Sequence, residues 1–300
     1  MTTSPSVRHV FASEAAPGEA SGVRALDRRW ASPVVGGGRL TLTETGLRLS
    51  LERVADRHYS NAQFDDYSGK RASHYPWRPP LRLHVRARAS HAAYPAYPTD
   101  PAPDAREEAS GGLRGTWGFG FWNAPFTLAG GGARLPDAVW FFGSSPPSNM
   151  ALSRDGVGYG WKAQVVHAQR IGALGALAPL SLAALWARLS GDERAAAGWL
   201  ERLTGAHEAP LNRPLDPTRA DLRQWHDYTL EWLPDHARFL VDGQQALVAP
   251  NPPPGPLGFV AWIDNQYAVA TPRGELRFGA LTCGPQWLEL ASLSIEPLGT

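Results

Sequence analysis

The stretch WHDYTLEWLPDHARFLVDG, residues 225–243, carries the clearest structural signal in the chain. Aromatic and apolar side chains alternate with polar ones on both sides of segment 233–236, a period typical of half-buried β-strands. Pro234 suits the second position of the turn between the two runs. Asp242-Gly243 then favours a tight return into residues 245–248. The stretch therefore predicts three consecutive antiparallel strands.

This stretch resembles the hairpin of laminarinase- and lichenase-type β-glucanases. The resemblance rests on Trp225, His226, Tyr228, Glu231, Trp232, Pro234, Asp235, Phe239 and Val241-Asp242-Gly243. Residues 115–122 resemble the Trp-rich strand of these enzymes, and residues 287–297 resemble their closing strand. Loosely spaced, the three stretches extend the resemblance over most of the chain. It implies an all-β fold, the concanavalin A-like antiparallel β-sandwich or jelly roll.

The same two-residue period predicts further strands along the chain. They are expected at 40–42, 47–51, 81–85, 115–123, 137–143, 161–167, 257–266, 276–278 and 288–295. We predict a single β-sandwich domain over 23–300 after a flexible segment at 1–22, with a Pro-rich loop at 91–112. Apolar residues at helical spacing over 171–205 predict a helical insert in this domain.

Composition narrows the classes of function. A chain of 300 residues with 43% apolar residues can bury a large β core, and its net charge of +1 gives no attraction to nucleic acid. Cys283 is the only cysteine, which excludes an internal disulfide and a multi-cysteine metal site. We expect no cofactor, and the sequence leaves open whether a calcium ion sits in the sandwich. Residues 1–14 contain no apolar stretch of signal-peptide length, so the expected location is cytoplasmic.

The resemblance also implies where catalytic residues would stand, and there this chain departs from the pattern. The β-glucanases carry a Glu-x-Asp-x-x-Glu strand after their Trp-rich strand, and two carboxylates on one face suit a retaining mechanism. Here that place is taken by LPDAVWFFG, residues 135–143, in which only Asp137 is acidic. The family's catalytic residues are therefore not carried over. Asp137 and Asp264 remain as catalytic candidates, and whether the chain is an enzyme stays open.

Other carboxylates are interpreted as structural groups. Glu231 stands where the resembled enzymes also carry a Glu that is not their catalyst, so we interpret it as a structural hydrogen-bond acceptor. Asp65-Asp66 lies in a loop or short strand, where a turn or solvated edge is favoured over a metal site.

A binding face is suggested by the alternation of two strands. Phe119 and Phe121 share one face of the first strand, and Gly118, Gly120 and Trp122 share the other. On the second strand one face carries Phe259, Ala261 and Ile263, and the other carries Trp262, Asp264 and Gln266. A Trp beside amide and carboxylate groups is a common way to bind a sugar, and glycines allow close approach of a ligand or another backbone. The competing interpretation places the tryptophans in the core, with Asp264-Asn265 closing a turn. The predicted ligand-binding residues are Trp122, Asn123, Lys162, Trp262, Asp264 and Gln266.

Three functions follow as hypotheses. The first is a non-hydrolytic relative of the β-glucanases, a pseudoenzyme that binds an oligo- or polysaccharide in a Trp-lined concave cleft. The second is a carbohydrate-active enzyme, a glycoside hydrolase whose acid pair has moved to other positions. The third is a protein that binds an apolar ligand or a membrane surface through the uncharged segment 171–187 of the insert. The ligand and the oligomeric state are not specified by the sequence.

Overall fold

The computed structural model describes residues 6–11, 28–55, 58–95, 111–124, 136–153, 156–168, 201, 205–212, 221–270 and 276–299. These residues form seventeen strands. They are β1 (Val7–Val10), β2 (Val34–Val35), β3 (Gly38–Leu42), β4 (Leu47–Leu51), β5 (Asn61–Asp65), β6 (Leu81–Ala89), β7 (Thr116–Trp122), β8 (Asp137–Ser144), β9 (Gly160–His167), β10 (His207–Pro210), β11 (His226–Trp232), β12 (His236–Val241), β13 (Gln244–Pro250), β14 (Gly258–Asp264), β15 (Gln266–Ala270), β16 (Leu276–Ala280) and β17 (Gln286–Pro297). A short 3-10 turn covers Ala72–His74.

Two large antiparallel sheets dominate the architecture. The eight-stranded sheet has the order β13-β12-β11-β6-β17-β4-β3, and β1 pairs with β17. The seven-stranded sheet has the order β10-β9-β8-β7-β14-β5-β2, and β15 and β16 form a separate pair. Strands far apart in the chain are neighbours in both sheets, as in a jelly roll.

The two large sheets share one core because each strand turns alternate apolar side chains toward the other sheet. Phe119 and Phe121 of β7 meet Tyr228 and Trp232 of β11, with ring centroids 5.2 and 5.4 Å apart. The indole N–H of Trp232 donates to the carbonyl of Pro253 at 3.0 Å, which satisfies its polar atom inside the core.

The hairpin that organises the sequence forms as predicted. β11 pairs with β12, and β12 returns into β13 through Asp242 and Gly243. Both turn residues have positive φ, at +50° and +76°, the geometry of the tight hairpin turn that Asp-Gly favours. Glu231 forms ion pairs with Arg82 and Arg238 on the solvent side of this sheet, which confirms its structural role.

The structure differs from expectation at two places. Residues 7–10 belong to the segment that we expected to be flexible, yet they form β1 against β17. The strand expected over 257–266 ends at Asp264, because Asn265 turns the chain. The Asn265 side chain accepts from the Ser60 N–H at 2.8 Å and donates to the carbonyls of His58 and Leu281 at 2.9 and 2.8 Å.

The predicted helical insert at 171–205 falls almost wholly outside the described residues, as does most of the predicted loop at 91–112. Within the described ranges, no helix has both the length and the apolar character needed to span a membrane.

Candidate functional site: the outer face of the seven-stranded sheet

The seven-stranded sheet has one side against the core, and we call its opposite side the outer face. Phe119, Phe121 and Ile263 point into the core and are fully buried. Their neighbours in the alternation, Trp122 and Trp262, therefore lie on the outer face. The faces of β7 are thus the ones that the alternation of its sequence predicts.

Three tryptophans form a continuous row on this outer face. Trp140 of β8 stands between Trp122 and Trp262, with ring centroids 5.7 and 5.2 Å away. Trp122 and Trp140 are half-buried, whereas Trp262 is only 8% exposed. Trp262 is more buried than we expected because its ring packs against Phe142, and its indole N–H donates to the Thr116 hydroxyl at 2.9 Å. The accessible part of the row is therefore Trp122 and Trp140.

The glycines of β7 have a packing role. A Cβ on Gly118 would lie 2.2 Å from the backbone oxygen of Phe141 and 2.9 Å from the Trp262 ring. A Cβ on Gly120 would lie 2.5 Å from the Cα of Trp140. The two glycines therefore allow strand β8 and the tryptophans to approach the backbone of β7 closely.

A polar network runs beside the row. The indole N–H of Trp140 donates to the side-chain carbonyl of Gln164 at 2.6 Å, and the amide of Gln164 donates to Glu208. Lys162 donates to the same carboxylate oxygen of Glu208 at 2.9 Å, and both side chains of this ion pair are fully buried. The network connects β8, β9 and β10 across the outer face.

Two predicted binding residues, Lys162 and Asn123, are buried, and a third, Gln266, lies outside the seven-stranded sheet. Lys162 is fully buried, and its ammonium donates to the carbonyls of Met150 and Val157 as well as to Glu208. Asn123 is 3% exposed and accepts the backbone N–H of Asp137 at 3.1 Å, so it fixes the ends of β7 and β8. Gln266 is exposed but begins β15, in another sheet, because the chain turns at Asn265.

The strand that replaces the acidic one carries no carboxylate on the outer face. β8 turns Ala138, Trp140 and Phe142 outward, since Val139 and Phe141 belong to the core. Asp137 lies at the start of β8 and contacts His167 Nδ1 at 3.0 Å.

Asp264, the second catalytic candidate, lies at the end of β14. Its Oδ1 accepts the Thr116 N–H at 3.1 Å, the Thr116 hydroxyl at 2.9 Å and the Gln266 N–H at 3.0 Å. Burial raises the pKa of Asp264 to about 6, against these three stabilising hydrogen bonds. No neighbouring carboxylate contributes to that shift. A raised pKa suits a general acid, but its cause here is burial and not a coupled acid pair.

The raised pKa predicts a pH-dependent stability. Between pH 4 and pH 6 the folded Asp264 keeps a proton that the unfolded chain has released, so stability falls as pH rises through that window. Two pKa units correspond to about 3 kcal/mol. We expect Asp264→Asn, whose amide oxygen retains the three donors, to remove this part of the pH dependence. Urea unfolding at pH 4, 5, 6 and 7 measures the difference from the wild type.

Glu52→Gln, at an exposed carboxylate, is the control for this measurement. Parallel profiles for Asp264→Asn and the wild type would show that Asp264 does not titrate in this range.

Asp65 and Asp66 are tied to structural donors. Asp65 accepts the N–H groups of Tyr67 and Ser68 at 3.0 and 2.6 Å, the pattern of a tight turn. Asp66 accepts the indole N–H of Trp77 at 2.5 Å and the backbone N–H of Phe259 at 2.9 Å. Among the residues that the structure describes, no group of three or more His, Cys, Asp or Glu side chains is arranged to hold a metal ion.

Sequence reasoning missed Trp140, Gln164 and Glu208. The alternation of β8 does indicate Trp140, since it places this side chain on the other face of the strand from Val139 and Phe141. Glu208 lies 46 residues from Lys162 in a short strand without a clear pattern, and only the pairing of β9 with β10 brings them together.

Comparisons with known proteins find similarity to solved structures alone. No family model matches the chain, and no curated protein matches it by sequence. One similar solved structure comes from work on endo-acting O-glycanases of the human gut microbiota that initiate mucin breakdown. It has a TM-score of 0.50 and 11% identity, and the match covers 98% of this chain and 99% of that one. The laminarinase catalytic domain from Thermotoga maritima has a TM-score of 0.48 and 10% identity, covering 98% of both chains.

A β-1,3-1,4-glucanase, or lichenase, from a mouse hindgut metagenome has a TM-score of 0.48 and 12% identity, covering 98% of this chain and 99% of its own. At such identities the likeness concerns the fold. The chain has the predicted antiparallel β-sandwich, built from two large sheets.

Proposed function

We propose that this protein binds an uncharged oligo- or polysaccharide on the outer face of the seven-stranded sheet and does not hydrolyse it. The observation that carries this proposal is the row of Trp122, Trp140 and Trp262, whose central member occupies the strand where the resembled enzymes hold their acids. The resemblance of the hairpin to β-glucanases makes glucans the first ligands to test.

The chemistry of the row supports a sugar ligand. A half-buried indole offers a flat apolar surface for the C–H face of a pyranose ring. The N–H of Trp140 is held by Gln164. Covering about 100 Å² of such a surface contributes about 2.5 kcal/mol before the entropy cost of binding. Trp122 and Trp140 lie side by side, so neighbouring sugar units of one chain could each contact an indole.

The charges beside the row support an uncharged ligand. Glu208 is neutralised by Lys162 inside the protein, and Asp65 is saturated by its turn donors. A buried charge that already has its partner gains little from a charged ligand and loses much if that partner is displaced.

The arrangement of carboxylates supports binding without hydrolysis. Glycoside hydrolysis needs two carboxyl groups on either side of the scissile bond. On the described part of the outer face, Asp65, Glu208 and Asp264 are each committed to structural donors. The raised pKa of Asp264 favours a relocated acid, and Asp264→Asn tests it.

We expect saturable binding of laminarin or lichenan oligosaccharides, measured by isothermal titration calorimetry, with no release of reducing sugar from either polysaccharide. Asp137→Ala and Asp264→Asn are the matched variants in the hydrolysis assay. Reducing-sugar release that either substitution abolishes would establish the hydrolase alternative. Failure to bind any member of a glycan array would refute the carbohydrate proposal.

A further inference from the structure

We propose that the buried Lys162–Glu208 ion pair is a positioning device that acts through Gln164 to hold the indole of Trp140 in its ligand-stacking orientation. The inference rests on the proposed function, since it assigns to the ion pair a role in the same site. Neither Lys162 nor Glu208 would touch the ligand, because both side chains are fully buried.

Each hydrogen bond of the network has a fixed donor and a fixed acceptor, which follow from the chemistry of the groups. The Trp140 indole N–H can only donate, and the Glu208 carboxylate can only accept when it is ionised. Gln164 lies between them, so its amide satisfies both partners only with the oxygen toward Trp140 and the nitrogen toward Glu208. Lys162 donates to Glu208 from the other side, at 2.9 Å, and holds the carboxylate in place. The orientation of the Trp140 ring is therefore coupled to the ion pair.

The same pair also holds Met150, Leu152 and Val157 against the outer face. Lys162 donates to the carbonyls of Met150 and Val157 at 3.0 and 3.1 Å, and the Leu152 N–H donates to the second carboxylate oxygen of Glu208 at 3.3 Å. Met150 packs against the aromatic cluster that contains Phe142 and Trp262. The pair therefore sets both Trp140 and a wall beside the tryptophan row.

The choice of lysine fits this role. Lys70 and Lys162 are the only lysines among 29 basic residues of the chain. An ammonium group has three donors on one compact atom, and Lys162 directs them to three acceptors on different segments. The planar fork of an arginine does not match three acceptors grouped around a single point.

A buried ion pair is not required for stability alone. Apolar residues of similar volume often replace such a pair at no cost, whereas loss of one partner leaves an unpaired buried charge. What the pair adds over an apolar packing is the fixed direction of the hydrogen bonds that it makes.

The test uses Gln164→Met, which keeps the volume and the ion pair but breaks the connection to Trp140. Its readouts are the indole N–H resonance of Trp140 in a ¹H–¹⁵N spectrum, identified by its disappearance in Trp140→Phe, and the affinity for a laminarin oligosaccharide. We expect the resonance to move upfield as the hydrogen bond is lost, and the affinity to fall by about tenfold or more. The matched control is Gln63→Met on the same face, where the amide bonds to Asp65 and Tyr67. It should move neither readout.

The double variant Lys162→Met/Glu208→Met is a second test of whether the ion pair orients Trp140. It removes both charges together, so it should fold with a thermal midpoint near that of the wild type. We expect it to show the shifted Trp140 resonance and the reduced affinity all the same.

An unmoved Trp140 resonance in both variants would overturn the inference, as would a moved resonance with unchanged affinity. A wild-type protein that binds no glycan would refute the proposed function instead. The spectra would still decide whether the ion pair orients Trp140.

Discussion

Gly120→Ala is expected to destabilise the protein by about 3 kcal/mol or more, because the new methyl group has no space. Its Cβ would lie 2.5 Å from the Cα of Trp140 and 2.6 Å from the carbonyl oxygen of Val139. Both atoms belong to the backbone of the neighbouring strand β8, so no side-chain rotation can relieve the contact. The pairing of β7 with β8 would have to shift.

Urea unfolding of Gly120→Ala and the wild type measures this effect. Gly284→Ala is the matched control, since no atom lies within 4 Å of its added Cβ. We expect the control to stay within about 0.5 kcal/mol of the wild type. A change in stability for Gly120→Ala as small as that of the control would mean that β7 and β8 do not approach each other as closely as the structure shows.

Trp140→Ala is expected to weaken glycan binding by about 2.5 kcal/mol, or about 70-fold, if about 100 Å² of indole surface contacts the sugar. The side chain is half-buried on the outer face, so the core beneath it stays intact. Isothermal titration calorimetry with the oligosaccharide that binds the wild type gives the affinity, and circular dichroism checks the fold.

Trp225→Ala provides the control for Trp140→Ala. Trp225 is also half-buried, but it lies just before β11 of the other large sheet, where Arg88 stacks on its ring at 4.5 Å. We expect its affinity for the oligosaccharide to equal that of the wild type. Equal losses in the two variants would indicate non-specific contact with tryptophans, and no loss in Trp140→Ala would remove the row from the binding site.

The strands and their inward faces could be predicted because both depend on local pattern. In β11 and β12 the alternation around Pro234 and the Asp242-Gly243 turn specified the pairing. A strand buries every second side chain, so Phe119, Phe121 and Ile263 could be assigned to the core from neighbours in sequence alone. The same argument placed Trp122 and Trp262 on the opposite face.

The composition of the site was only partly predictable. Trp122, Trp262 and Asp264 lie on or beside the outer face as expected, but their degree of burial depends on what packs above them. Trp262 is covered by side chains such as Phe142, which belongs to a different strand. No local pattern reports that contact.

The sequence by itself determined the all-β fold, the hairpin and the absence of an acidic pair in residues 135–143, because each depends on residues that are close in the chain. Only the tertiary structure decided that Lys162 is paired with Glu208 and that Gln266 belongs to another sheet. It alone placed Trp140 at the centre of the row. These features depend on antiparallel pairing between distant strands and on one asparagine, Asn265, whose side chain binds three backbone groups in two distant segments. Hydrogen bonds of that kind form only after the sheets have assembled, so they leave no periodic pattern in the sequence.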